Sequence, residues 1–132
     1  MIVIRTYYIN YFQLLFIHNR DFIFFGHDQD AMNRKETIFG ILENHQIDLR
    51  TIGVKNIGVF GSVLRGEDTG ESDYDILVEF EPDHHNFRNY NRLCDFLEMH
   101  LGGNFDLVTK QGLSPYIGKH ILKEVRYVPI AS

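Results

Sequence analysis

Two aspartates one residue apart, Asp73 and Asp75, open an apolar run that continues Ile76-Leu77-Val78-Glu79-Phe80. Alternate side chains of a strand point to the same face, so the two carboxylates project together, with Cα atoms roughly 7 Å apart. At about 4 Å and an effective dielectric near 20, like charges repel by roughly 4 kcal/mol, so a third acid nearby would require neutralisation. A divalent cation is the natural remedy. Upstream, an apolar run ends at Gly61-Ser62, and a polar, glycine-containing loop through Ser72 joins the two runs. Gly61 lets backbone approach a phosphate closely, while the Ser62 hydroxyl and the amides at a helix N-terminus can donate to anionic oxygens. Standing alone, the Gly-Ser pair would be an ordinary turn.

Asp106 is the next acid to consider, because it interrupts the otherwise apolar segment Phe105 to Val108. Alone, an aspartate at a strand edge is solvated or caps a turn. Beside Asp73 and Asp75 on a neighbouring strand it reads as the third member of a metal-binding triad. Three carboxylates can hold two magnesium ions, which prefer oxygen ligands and keep phosphate oxygens and water in their shells. With Gly61-Ser62 upstream, such a triad resembles that of the nucleotidyltransferases, and the resemblance implies in-line attack of an acceptor hydroxyl on the α-phosphate of a nucleoside triphosphate. One ion, on all three acids, would activate the hydroxyl; the other, on Asp73 and Asp75, would orient the triphosphate and stabilise the leaving pyrophosphate. Asp106 could also receive the proton.

Gly-Ser followed about ten residues later by Asp-x-Asp resembles the signature of the nucleotidyltransferase superfamily that includes DNA polymerase beta. More closely, Gly61-Ser62-x-x-Arg65-Gly66, then Ser72-Asp73-x-Asp75-Ile76-Leu77-Val78-Glu79-Phe80, is similar to the minimal nucleotidyltransferases, the MntA-type antitoxins found beside HEPN-domain toxins. The tail Leu113-Ser114-Pro115-Tyr116-Ile117 resembles them too, so the likeness spans roughly residues 33 to 130. It implies a third acid on the next strand, at Asp106, and an Arg65-Gly66 pair facing the phosphates. It also implies ATP as donor of AMP, a toxin tyrosine as acceptor and a HEPN-domain toxin as partner. One departure is Tyr74, where an aliphatic residue is usual between the two acids.

Other residues have plainer readings. Arg65 is the sole cation near the acids, and a surface pairing with Glu67 or Asp68 is the alternative to a phosphate role. Ser72 braces the turn into Asp73. His84-His85 lacks the spacing of a zinc site and reads as solvated loop. Cys94, on an apolar helix face, is a small core residue. A Walker A loop is excluded, since Gly61 to Gly70 has no Gly-Lys-Ser/Thr ending, and no Gly-x-Gly-x-x-Gly pattern occurs.

These residues need a scaffold, and 132 residues are enough for one domain with a core of ordinary size. The periodicity predicts a helix from Asn33 to about His45, with Ile38, Ile41, Leu42 and His45 on one face, and leaves Ile47 to Lys55 ambiguous, with Gly53 as a helix terminator or turn. A buried strand is expected over Asn56 to Phe60, then a short helix from Ser62 to Arg65 or Gly66 and a strand from Tyr74 to Phe80 that Pro82 stops. Phe87, Tyr90, Leu93, Cys94, Leu97 and Leu101 recur at helical spacing up to Gly102-Gly103. Phe105 to Thr109 reads as a third strand. A last helix follows, with Pro115 in its first turn and Ile117, Ile121 and Leu122 inward, before an edge strand between Val125 and Ile130. The fold class is α/β: a compact nucleotidyltransferase fold with a small mixed sheet flanked by helices.

The net charge is −5, and eight acids fall between Glu67 and Asp83, a stretch of seventeen residues without Lys or Arg. Such a surface repels bare nucleic acid, so a broad phosphate-backbone contact is not expected. The single cysteine excludes an intramolecular disulfide and a cysteine-based zinc cage, which fits a cytoplasmic setting. Thr6 to Asn19 is free of charge for only fourteen residues, short of the roughly 20 needed to span a bilayer.

Residues 1–31 form an N-terminal extension holding eight of the eighteen aromatic residues without a clean period. A secretory signal is disfavoured, because Asn and Gln interrupt the apolar stretch and no small-x-small site follows. The extension reads either as an interaction segment or as lying upstream of the physiological start. Asn33 and Glu36 make a capping-box-like opening directly after Met32, so Met32 is the expected initiator and 32–132 the nucleotidyltransferase domain. Intact mass of the natively expressed protein tests this, and a mass that includes residues 1 to 31 refutes it. Rival functions are neutralisation of the partner by binding alone, nucleotidylation of a small molecule, and transfer to RNA ends. The chain offers no second domain to wall a small-molecule pocket, and its acidity disfavours RNA.

Overall fold

The computed structural model describes residues 34–130. The proposed extension, the Asn33 cap and the boundary at Met32 lie outside the described residues.

Two helices lead into the sheet. Helix α1 runs Arg34–Asn44 and α2 runs Gln46–Ile52. Ile38, Phe39 and Leu42 are buried from α1, as are Leu49 and Ile52 from α2. The segment left ambiguous from sequence is therefore mostly helix. It is too short for its period to stand out, and Ile47 points away from the core at 76% exposure. Gly53 ends α2 with φ +95°, a left-handed cap closed by its N–H to the Leu49 and Arg50 carbonyls. No side chain fits there, since a Cβ would fall 2.3 Å from His84.

Strand β1 (Val54–Phe60) leads directly into helix α3 (Gly61–Arg65), and strand β2 (Tyr74–Phe80) follows the acidic loop. A 3-10 turn over Pro82–His84 precedes helix α4 (Phe87–Leu101), capped by the Asn86 side chain accepting from Asn89 N–H, and then comes strand β3 (Phe105–Thr109). After a 3-10 turn over Lys110–Gly112 come helix α5 (Pro115–Glu124) and strand β4 (Arg126–Val128). The sheet order is β3-β2-β1-β4, with β2 and β3 parallel and the other two pairings antiparallel. The expected mixed sheet is present, with β4 at its edge.

Alternation along β2 divides the sheet's two faces. Tyr74, Ile76, Val78 and Phe80 join Ile57, Val59, Leu42, Leu49, Leu93 and Leu97 in one core cluster. Each fully buried aliphatic side chain contributes about 1.5–3 kcal/mol relative to exposure. Asp75 and Glu79 belong to the opposite face, so core packing under Tyr74 fixes where Asp75 projects. Tyr74, the departure from the family pattern, is 7% exposed and packs in that core.

Two expectations are corrected. Ile117 and Leu122 do not face inward: they are 59% and 44% exposed, and the buried residue of α5 is Gly118. A Cβ at Gly118 would sit 3.2 Å from Leu113, which folds back over the glycine from the turn just before the helix. Phe87 shares the period of α4 but is 81% exposed, in the opening turn at the lip of an open cleft with His85, Tyr90 and Thr109. Period gives the direction of a side chain, not whether a neighbour reaches far enough to cover it.

Candidate active site

Three chain segments converge at one end of the β1-β2-β3 sheet. Asp75 is the second residue of β2, and its register partners are Phe60 on β1 and Asp106 on β3. Paired residues of adjacent strands project to the same face, so Asp75 and Asp106 stand side by side. Asp73 lies one residue before β2, at the end of the loop.

Gly61 supplies the opposing wall. It follows β1 with φ +77°, and a Cβ there would lie 2.0 Å from Asp75 Oδ2, so the carboxylate rests directly against this backbone. Ser62 follows in α3, half-buried. Among the described residues, no hydrogen bond engages its hydroxyl. With only five residues, α3 adds little dipole to this corner.

The electrostatics are those of an unneutralised cluster. Burial, then repulsion from Asp106, Asp73 and Glu124, raises the Asp75 carboxyl above its ordinary value, and Arg65 offsets this in part. Among the described residues, none donates a hydrogen bond to the carboxylates of Asp73, Asp75 or Asp106. The side chains as set do not enclose an ion: among the described residues, no group of three His, Cys, Asp or Glu forms a closed metal cage. The donor chemistry nevertheless fits a hard cation, with oxygen ligands, mutual repulsion and no competing partner.

Arg65 is engaged on both sides. Its Nε donates to Glu67 Oε2 at 2.8 Å, and its Nη1 donates to Glu124 Oε1. Both bonds raise its pKa. The surface pairing weighed from sequence is thus present with Glu67, together with a partner that sequence reasoning missed. Glu124, the last residue of α5, also accepts from the Gly61 N–H at 3.2 Å through Oε2. These contacts span 59 to 63 residues, so no local spacing could have revealed them. The only signal was a lone acid after Lys119 and Lys123, at the join to the last strand.

The remaining candidates behave plainly. Ser72 Oγ accepts from Thr69 N–H at 2.9 Å and braces the loop before Asp73. His84 and His85 are exposed, and His85 stacks on Phe80 at 6.1 Å. Cys94 is half-buried against the core, its thiol pushed up by burial. Tyr116 is 81% exposed.

Comparison with known proteins adds an independent finding. The nucleotidyltransferase domain family matches residues 41–128. The protein adenylyltransferase MntA of Thermococcus cleftensis is 46% identical over 99 residues, covering 74% of this chain and 99% of that protein. A solved minimal nucleotidyltransferase superposes with a TM-score of 0.61 at 35% identity, over 71% of this chain and 93% of that one. A toxin–antitoxin crystal structure with AMP-PNP superposes with a TM-score of 0.54 at 25% identity, over 68% and 74%.

Proposed function

The chain belongs to the nucleotidyltransferase-domain family, among the minimal nucleotidyltransferases that include MntA, and on that premise we propose that it transfers AMP from ATP to a tyrosine hydroxyl of a HEPN-domain toxin, acting as that toxin's antitoxin. The observation that carries the proposal is the register of Asp75 opposite Asp106, with the Gly61 backbone against the Asp75 carboxylate. A relative that is a protein adenylyltransferase and a neighbour solved with AMP-PNP in a toxin–antitoxin structure support the donor and the protein acceptor.

Asp73, Asp75 and Asp106 are the residues that would hold Mg2+, two ions in the fullest form. Bound there, magnesium would polarise the α-phosphate and neutralise the leaving pyrophosphate. The chain's own groups do the rest. Asp106, exposed at the β3 edge, is open to an incoming hydroxyl and accepts its proton. The acceptor oxygen bonds to the α-phosphorus as the bond to the bridging oxygen breaks, and pyrophosphate carries the electron pair away. Gly61, lacking a side chain, lets the corner close against Asp75, the Ser62 hydroxyl donates to a phosphate oxygen, and Arg65 offers its uncommitted N–H groups. ATP as donor, together with the single cysteine, fits a cytoplasmic setting. Among the described residues, no helix is long and apolar enough to cross a membrane.

Incubation with radiolabelled ATP, Mg2+ and the product of the neighbouring gene tests this reading. Label on a partner tyrosine, lost in Asp73→Asn and Asp75→Asn, is expected. Full neutralisation of the partner by a folded double variant, without label, would instead establish inhibition by binding alone.

A further inference from the structure

The groups that would receive phosphate are already held by a residue outside the motif. The Glu124 carboxylate bridges the Gly61 amide and the Arg65 guanidinium, one oxygen to each. Its side chain is 28% exposed, against 64% for Glu67 on the other edge of Arg65, so Glu124 is the more sheltered arm of the clamp. A guanidinium carries five N–H donors in a rigid plane, and fixing two edges sets the direction of the rest. The same carboxylate ties down the corner between β1 and α3, where the Gly61 backbone rests on Asp75.

We propose that Glu124 is a positioning residue of this site, holding the Arg65 guanidinium and the Gly61 corner in the orientation that receives the nucleotide's triphosphate. The inference rests on the nucleotidyltransferase reading above. It makes the C-terminal end of α5, a helix whose apolar residues contribute little to the core, a structural arm of the phosphate side of the site.

A carboxylate beside a triphosphate repels it, so if Glu124 acted only through its charge, removing that charge would tighten nucleotide binding. A positioning role predicts the opposite. Calorimetric titration of the full chain with ATP and Mg2+ should show Glu124→Gln weakening binding about tenfold, a loss of about 1.4 kcal/mol. The KM for ATP should rise in step, with kcat at saturation within about threefold, the pattern of lost ground-state binding. In an Arg65→Ala background, the same exchange should weaken binding less than about twofold, because the effect passes through Arg65.

Unchanged or tighter binding by Glu124→Gln overturns the proposal, and so does the full loss persisting without Arg65. Glutamine keeps the size and an acceptor for the Gly61 N–H, so a variant that fails to fold would mark Glu124 as structural and also contradict the proposal. A wild-type chain that binds no ATP with Mg2+ refutes the underlying reading as well. Normal wild-type binding that is insensitive to Glu124 refutes this inference alone.

Discussion

Asp75 concentrates the physics of the site, because its carboxylate lies among acids with no donor of its own among the described residues. Its proton is held more tightly in the folded chain than in the unfolded one. This carboxyl therefore favours the fold below its ordinary value of 3.8 and opposes it as pH rises through the higher folded value. At neutral pH without a divalent cation, Asp75→Asn should then stabilise the protein, by at most about 1 kcal/mol after solvent screening. That corresponds to about 4–8 °C in Tm for a domain of this size. Mg2+ should raise the Tm of the wild type with the logarithm of its concentration above Kd and do much less for the variant. Differential scanning fluorimetry with and without Mg2+ reads both effects, and a wild type indifferent to Mg2+ would count against the site. Gly61→Ala is the converse test. It strains a left-handed backbone at about 1–3 kcal/mol and pushes a methyl group onto the Asp75 carboxylate. Chemical denaturation should show that loss, and AMP transfer should fall by more than the folded fraction does.

At the scale of elements, the parallel pairing of β2 with β3 makes the site, and Glu79 helps to secure the sheet at the other end of β2. It accepts from Asn56 of β1 at 2.8 Å and from Lys110, just beyond β3, at 3.2 Å. The Asn56 hydrogen bond is the largest cause of its lowered pKa, with Lys110 and Lys55 adding to it against burial. A folded value below the ordinary 4.5 means that its contribution is present above that pH and lost as pH falls through the folded value. Glu79→Gln should cost about 1 kcal/mol at pH 7 and much less at pH 3, which urea denaturation at the two pH values would show. The elements nearest the site were also the most legible in sequence. Tyr74 to Phe80 and Phe105 to Thr109 coincide with their predicted limits, because Pro82, Gly102-Gly103 and turn-forming polar residues punctuate them. The helix at 46–52 and the exposed face of α5 were not legible. The first is under two turns long, and the buried position of the second is a glycine, which no hydrophobic period marks.

Across the whole molecule, two aspartates suggest a cation site through their spacing, and the fold determines what stands beside them. Asp106 was a reasonable third acid from its place in an apolar strand, whereas its register opposite Asp75 is a property of the sheet. Glu124 was illegible because its partners lie at the far side of the domain's sequence and its own neighbourhood carries no motif. A net charge of −5 with unneutralised acids at one sheet end supports the proposal that this protein meets anionic phosphate through cations. The most direct measurement of that claim is parallel incubation of the protein and its partner with Mg2+ and ATP labelled at either the α- or the γ-phosphate. The account predicts label on the partner from α-labelled ATP only, abolished by EDTA and by Asp106→Asn. Label from γ-labelled ATP, or α-label that persists without a divalent cation, would contradict it.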